Sequence, residues 1–377
     1  MKHLARAAAI GLALACCGCP GVGDDATTDG NVGVSSVEQP GLRVKGEPND
    51  DFTQPVDVVF DASDTAHLSG SISTADDIDV YALGPLSAGD RLVIDVEAVS
   101  GNLDAAIALF DEAGRLAFEN DDRNYSLGQL DPFLNAVIRR DSSVYFLAIS
   151  AAPLANSRSK TGRYRIGIQL VRGGQVPPTA GQIVMLDFGG GTIEIPGDAT
   201  YTVGPFDAGD IDPSYAGLTA AVRQQVRATV VENFEGLALD VRLFPGDPFP
   251  PAGTYSRVLF GGRNPSALGI SQDIDAYNSN QADGSIIFTE MFTPDRFRRV
   301  LSAAELGTAI GNVATHEIGH LLGLNHVSNV SDLMDTTGGA NTLLFDQEFM
   351  SSPLHGTIFG IGSQDGFLLL LETLGAS

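Results

Sequence analysis

Between residues 47 and 172 the apolar positions fall in short alternating or β-branched runs. Examples are His67–Ile72, Ile78–Leu83, Arg91–Ala98, Ala105–Phe110, Ala136–Ile138, Val144–Ile149 and Tyr164–Val171. Clusters of Gly, Asn and Asp separate them, at roughly 8–12-residue spacing, the pattern of an all-β sandwich. From residue 182 the texture changes. Ile183–Phe188, Leu239–Phe244, Ser256–Phe260 and Ser285–Phe288 read as strands. Leu218–Phe234 carries Val222, Val226, Val230 and Phe234 at helical spacing, and Ser302–Leu324 reads as one long helix. Ser302 suits its N-cap, with Glu305 completing a capping box. The last apolar segment, Gln364–Gly375, predicts a helix packed behind the second domain's centre. The expected fold is therefore multidomain, an all-β sandwich followed by an α/β (α+β) domain.

The ends and joints of these domains have a different composition. Arg172–Gly181 is Gly- and Pro-rich, so residues 173–181 are read as a linker. Residues 20–46 are polar, with no apolar period, and suit a flexible tether. Before them stands a charged start, Met1-Lys-His-Leu-Ala-Arg6, then the apolar run Ala7–Ala15. That is the layout of a secretory signal peptide, and a bilayer-spanning helix needs about 20 apolar residues. All three cysteines, Cys16, Cys17 and Cys19, lie in this leader, so neither a disulfide nor a thiol nucleophile is expected beyond it.

Charge removes one class of function. The formal net charge of −25 leaves no basic face, and no nucleic-acid partner is expected. Two acidic stretches could hold calcium or could be solvated turns. One comprises Glu47, Asp50, Asp76, Asp77 and Asp79; the other is the loop Ser271–Asp283.

The chemistry concentrates in Thr315-His-Glu-Ile-Gly-His-Leu-Leu-Gly-Leu-Asn-His326. On a helix His316 and His320 stand one turn apart on one face and can point ring nitrogens at one ion, about 2.0–2.1 Å away. Glu317 lies at the edge of that face, within reach of a water beside the ion. Were the helix to continue, His326 would lie about 9 Å further along and on the far side. Gly323 can adopt the left-handed conformation that ends a helix, which lets the chain turn and bring His326 back. Met334 follows in Ser331-Asp-Leu-Met-Asp335. His3, His67 and His355 stand outside this pattern.

Three resemblances attach to these residues. The motif from His316 to His326 with Met334 resembles the metzincin zinc peptidases, of matrixin type, in which a methionine turn lies beneath the metal. It implies one catalytic Zn²⁺ on His316, His320 and His326, with Glu317 as general base in peptide-bond hydrolysis by a zinc-activated water. It also implies a protein or peptide substrate paired along an edge strand, for which Gly284–Thr289 is the candidate, and a substrate pocket in the loop from Thr336 to Leu354. No propeptide cysteine is recognisable, a departure from vertebrate matrixins.

Residues 47–172 resemble the bacterial pre-peptidase C-terminal domain, a jelly-roll-like sandwich. The match runs through Glu47-Pro-Asn-Asp-Asp51, Asp76-Asp-Ile-Asp-Val-Tyr81, Ala88-Gly-Asp-Arg-Leu92 and Gly162-Arg-Tyr164. Members of that family often bind calcium and help hold substrate.

Leu12-Ala-Leu-Ala-Cys16-Cys17 resembles a bacterial lipobox, implying lipidation at Cys16 or Cys17 and a membrane contact through that anchor only; simple secretion is the other reading. Either places the chain outside the cytoplasm, at a bacterial cell surface or outer membrane or secreted. Residues 1–19 are the leader, 47–172 the sandwich and 182–377 the zinc domain. The rival reading is a surface-tethered binding lipoprotein whose zinc domain is silent. A zinc hydrolase acting on a non-peptide bond is a third.

Overall fold

The computed structural model describes residues 42–44, 49–124, 127–153, 155 and 159–377. The chain is mostly β-sheet with few helices and is multidomain. The leader, Cys16, Cys17, Glu47 and the tether apart from Leu42–Val44 lie outside the described residues. Leu42–Val44, which the sequence put in the tether, form a strand paired with His67–Ser69 and so belong to the first domain.

Ten strands build the first domain: β1 (Leu42–Val44), β2 (Val56–Asp57), β3 (Thr65–Ile72), β4 (Ile78–Leu86), β5 (Arg91–Gly101), β6 (Ala105–Phe110), β7 (Leu116–Asn120), β8 (Phe133–Val137), β9 (Ser142–Ala151) and β10 (Gly162–Val171). They form two five-stranded sheets, in the orders β1-β3-β10-β5-β8 and β2-β4-β9-β6-β7. Alternation decides which side chains face inward. Leu92, Ile94 and Val96 of β5 and Tyr164, Ile166, Ile168 and Leu170 of β10 meet Leu147 and Ile149 of β9 in one core.

The second sheet lacks this alternation, and the reason is that both its faces are buried. All six residues of β6 are buried, and in β9 so are Tyr145 through Ala151. A strand covered on both sides reads as a continuous apolar run. Its second face, with Phe110, Phe146 and Ala148, packs on Leu354 and Phe359 from the far end of the chain.

The second domain follows with β11 (Gln182–Asp187), the hairpin β12 (Gly191–Glu194) and β13 (Thr200–Val203), α1 (Ala208–Ile211), α2 (Thr219–Asn233), β14 (Leu239–Phe244), β15 (Ser256–Phe260), β16 (Gly269–Ser271), β17 (Gly284–Ile287), α3 (Pro294–Phe297) and α4 (Ala303–Leu321). The short pair β18 (Ser351–Pro353) and β19 (Ser363–Asp365) and helix α5 (Gly366–Leu374) complete it. The sheet order is β14-β11-β15-β17-β16. Four strands are parallel, and β16 alone runs antiparallel, on the edge.

The expectation that Gly284–Thr289 forms the free edge is therefore wrong. Gly284–Ile287 is paired on both sides, by β15 and by β16, and Thr289 begins a short 3-10 turn. The edge is Gly269–Ser271, three residues too short to show alternation in the sequence.

Helix α4 is apolar nearly all round and runs through the core, with every residue from Leu306 to Leu321 buried except Thr308. Ser302 caps its start, and Glu305 returns the bond in a capping box. Among the described residues no helix is long and apolar enough to cross a membrane.

Candidate metal centre

The last turns of α4 carry His316, Glu317 and His320. The helix ends in a Schellman arrangement in which Leu324 N–H donates to Gly319 O (2.9 Å) and Gly323 N–H to His320 O (2.9 Å). Gly323 sits at φ +95°, and a Cβ there would meet the backbone of Ala276, Asp275 and Tyr277 at 2.9–3.0 Å. Conformation and space both require glycine. The chain reverses and returns His326 to the two helical histidines.

The three imidazoles converge. His320 Nε2 lies 3.1 Å from His316 Nε2 and 3.0 Å from His326 Nε2. His316 Nδ1 is 2.7 Å from Leu333 O, and His320 Nδ1 is 2.7 Å from Leu324 O. A carbonyl oxygen only accepts, so these two Nδ1 atoms carry the protons and their Nε2 atoms turn lone pairs towards one point. Lone pairs cannot hydrogen-bond one another; a cation between them resolves the arrangement. Nitrogens held by one tetrahedral zinc lie about 3.3 Å apart, close to the observed spacing. The donor set thus fits zinc, and it is the one group of three or more His, Cys, Asp or Glu side chains gathered closely enough for an ion among the described residues.

Burial keeps the triad neutral. Desolvation pushes His316 down to about 4, and it holds His320 and His326 well below the ordinary histidine range, with the neighbouring imidazoles adding to the effect. Neutral imidazole is the form that ligates.

Glu317 is fully buried. Its Oε2 accepts from Ser271 Oγ (2.7 Å), and the same hydroxyl lies 2.9 Å from Glu317 O. Oε1 has no hydrogen-bond partner. Burial pushes the carboxyl up to about 8, against the lowering effect of Ser271. A Cβ on Gly269 would stand 2.6 Å from Oε1, so the edge strand is stripped of a side chain where it passes the carboxylate. Sequence reasoning missed Ser271 and Gly269, which lie more than 40 positions from Glu317.

Met334 is fully buried beneath the helix, its sulfur 2.6 Å from where a Cβ on Gly319 would lie. The buried carboxylate of Asp332 shapes this turn, accepting from Met334 N–H (2.9 Å), Ser352 Oγ (2.7 Å) and Met350 N–H (3.2 Å). Beside His316 opens a small cavity of about 30 Å³, lined in part by Leu268, Asp335, Thr336, Gly338 and Leu343. Its far wall belongs to the stretch from Thr336 to Leu354 in which the sequence put a pocket.

Among the described residues the acidic stretches gather no such centre. Asp79 accepts from Tyr164 Oη, and Asp77 from Ser73 N–H and Oγ. Asp50 and Asp76 are exposed. In the loop, Asp275 accepts from Ser279 Oγ and Asn280 N–H, and Asp283 from Ser256 Oγ. His67 is exposed on β3, whereas His355 lies closer to the triad than its position in sequence suggests, its N–H donating to His326 O (3.0 Å).

Comparison with known proteins adds a family match over part of the chain. Residues 250–343 match the model of the Matrixin family of peptidases. No curated protein matches. Similar solved structures include a periplasmic inhibitor of g-type lysozyme from Aeromonas hydrophila, 16% identical, covering 34% of this chain and 99% of that one at a TM-score of 0.25. They also include the pre-peptidase C-terminal domain of a Bacillus anthracis collagenase (14% identical, 33% and 100% covered, TM-score 0.24). A third is a zinc-dependent peptidase from Methanocorpusculum labreanum (15% identical, 44% and 94% covered, TM-score 0.24).

Proposed function

We propose that the chain is a zinc-dependent endopeptidase of the metzincin type, with His316, His320 and His326 as the metal ligands and Glu317 as the general base. The observation that carries the reading is the convergence of three Nε2 lone pairs at 3.0–3.1 Å, two of them fixed by carbonyl partners on Nδ1. The family match over residues 250–343 supports it, since that span contains the whole triad and Met334.

Bound zinc supplies Lewis acidity, which draws electrons from a peptide carbonyl and makes nearby water more acidic. The chain's own groups do the rest. Glu317 takes a proton from the attacking water at its unpartnered Oε1 and delivers it to the leaving amine. Ser271 holds the other oxygen of that carboxylate, fixing its direction. β16 is the edge strand of its sheet, where an extended peptide would pair once Gly269–Ser271, buried in this structure, are uncovered; such pairing favours cleavage within a chain over removal of its end. The cavity beside His316, at about 30 Å³, has room for little more than a water molecule, so a substrate side chain enters there only with movement of its walls.

On this reading the leader directs the activity outside the cytoplasm, with the chain lipidated at Cys16 or Cys17 or secreted, and a nucleic-acid partner is not expected. The jelly-roll-like sandwich and the metzincin domain together fit a bacterial surface peptidase. The test is cleavage of unfolded casein by the chain starting at Gly21. Activity lost with a chelator and restored by zinc supports the reading. One bound zinc with no cleavage of any protein favours instead the surface-tethered binding lipoprotein.

A further inference from the structure

Among the described residues the sandwich domain touches the second domain at several places, and two of them lead to the metal ligands. The first is the segment 354–364. Phe359 and Leu354 bury the outer face of the second sandwich sheet, with Phe359 against Phe110 at 5.9 Å between ring centroids. Ser363 N–H donates to Gly114 O (2.9 Å). The other side of this segment grips the third-ligand arm: His355 N–H donates to His326 O (3.0 Å), and Gln364 exchanges two bonds with the backbone of Asn325 (2.7 and 2.8 Å). The segment is thus a strap between the sandwich and His326.

The second place is the loop carrying Tyr277. Arg139 of the sandwich lies over the Tyr277 ring at 4.1 Å, Phe118 packs against it at 5.0 Å, and its hydroxyl donates to Ala117 O (3.2 Å). Arg140 Nη1 donates to both carboxylate oxygens of Glu372 on α5 at 3.0 Å, and Arg140 Nε donates to buried Asp111. Tyr277 and Asn278 both have positive φ, +58° and +51°. Such residues persist where their surroundings over-determine them. The sandwich supplies these for Tyr277, while Asn278 is held within its own domain by Gln182 (3.2 Å) and Asp275 O (2.9 Å). The same loop lies against Gly323, and Asp275 N–H donates to His320 O (3.0 Å).

We infer that the β-sandwich is a positioning element of the metal centre: through Tyr277 and the 354–364 strap it holds the turn and arm that carry His326. This rests on the zinc reading above. The loss of side-chain alternation in β6 and β9 agrees with a sheet covered on both faces, its outer one by Phe52 of the sandwich together with Leu354 and Phe359 of the strap.

The experiment measures zinc affinity of the full chain by competition with a chromophoric chelator, and the visible spectrum of the cobalt-loaded chain. Tyr277→Ala should lower zinc affinity about 10-fold, as loss of outer support for a ligand does, and alter the cobalt bands. Tyr277→Phe, which keeps the ring between Arg139 and Phe118, should restore most of both. If Tyr277→Ala does not fold, Arg139→Gln carries the same test. A protease site placed between Gly173 and Val176 and cut after folding should leave the two pieces associated, with zinc affinity intact. A folded Tyr277→Ala chain with wild-type affinity and spectrum overturns the inference and leaves the peptidase reading standing. Pieces that separate while the second keeps full affinity overturn it too. A wild-type chain that binds no zinc defeats the peptidase reading itself.

Discussion

The sulfur of Met334 occupies the space a side chain at Gly319 would need: a Cβ there would lie 2.6 Å from it. The methionine can sit beneath the histidines because the helix is bare at this position. Gly319→Ala should therefore overpack the core and lower stability by about 1–3 kcal/mol in denaturant unfolding. In a Met334→Ala background the same substitution should cost less, so the double variant loses less than the sum of the single losses, because the two residues share one space. Additive losses would show that the contact is not the cause.

The turn after α4 makes a second prediction. Gly323 combines φ +95° with backbone atoms at 2.9–3.0 Å from any Cβ. Gly323→Ala should cost more than about 1 kcal/mol. It should also weaken zinc binding, because His326 depends on the turn. Unchanged stability with unchanged zinc affinity would mean that the turn relaxes without moving the ligand.

Asp283 gives a pH dependence away from the metal. Its buried carboxyl accepts from Ser256 Oγ with one oxygen and has no partner for the other, and desolvation pushes it up to about 8. Its folded value lies above the unfolded value of about 3.9, so the folded chain binds the proton more tightly. This group's stabilising contribution is complete below about pH 4 and is lost as pH rises towards 8. Asp283→Asn, which cannot ionise, should flatten the fall in stability between those limits. Unfolding curves taken across that range decide it, and parallel pH profiles for the two chains would refute the assignment.

The parts of this account legible in the sequence are those that depend on local spacing. The i, i+4 histidines, the glycine that stops the helix and the capping box at Ser302 each follow from a few adjacent residues, and the structure brings His316, His320 and His326 together. The edge strand was not legible, because Gly269–Ser271 is too short to show a period and β17 carries the stronger β-branched run. Ser271, Gly269 and the carbonyls of Leu324 and Leu333 act through contacts made only in the folded chain. The strap is the plainest case. Residues 354–364 have no regular pattern, and their role depends on a sheet more than 200 residues earlier.

The most direct test of the central claim is to compare the wild-type chain with Glu317→Gln for zinc content and for casein cleavage in the same preparation. Both chains should hold one zinc. Only the wild type should cleave, with the variant slower by about 10²–10⁴-fold, the usual worth of a general base. A zinc-loaded Glu317→Gln chain that cleaves as fast as the wild type would contradict the account.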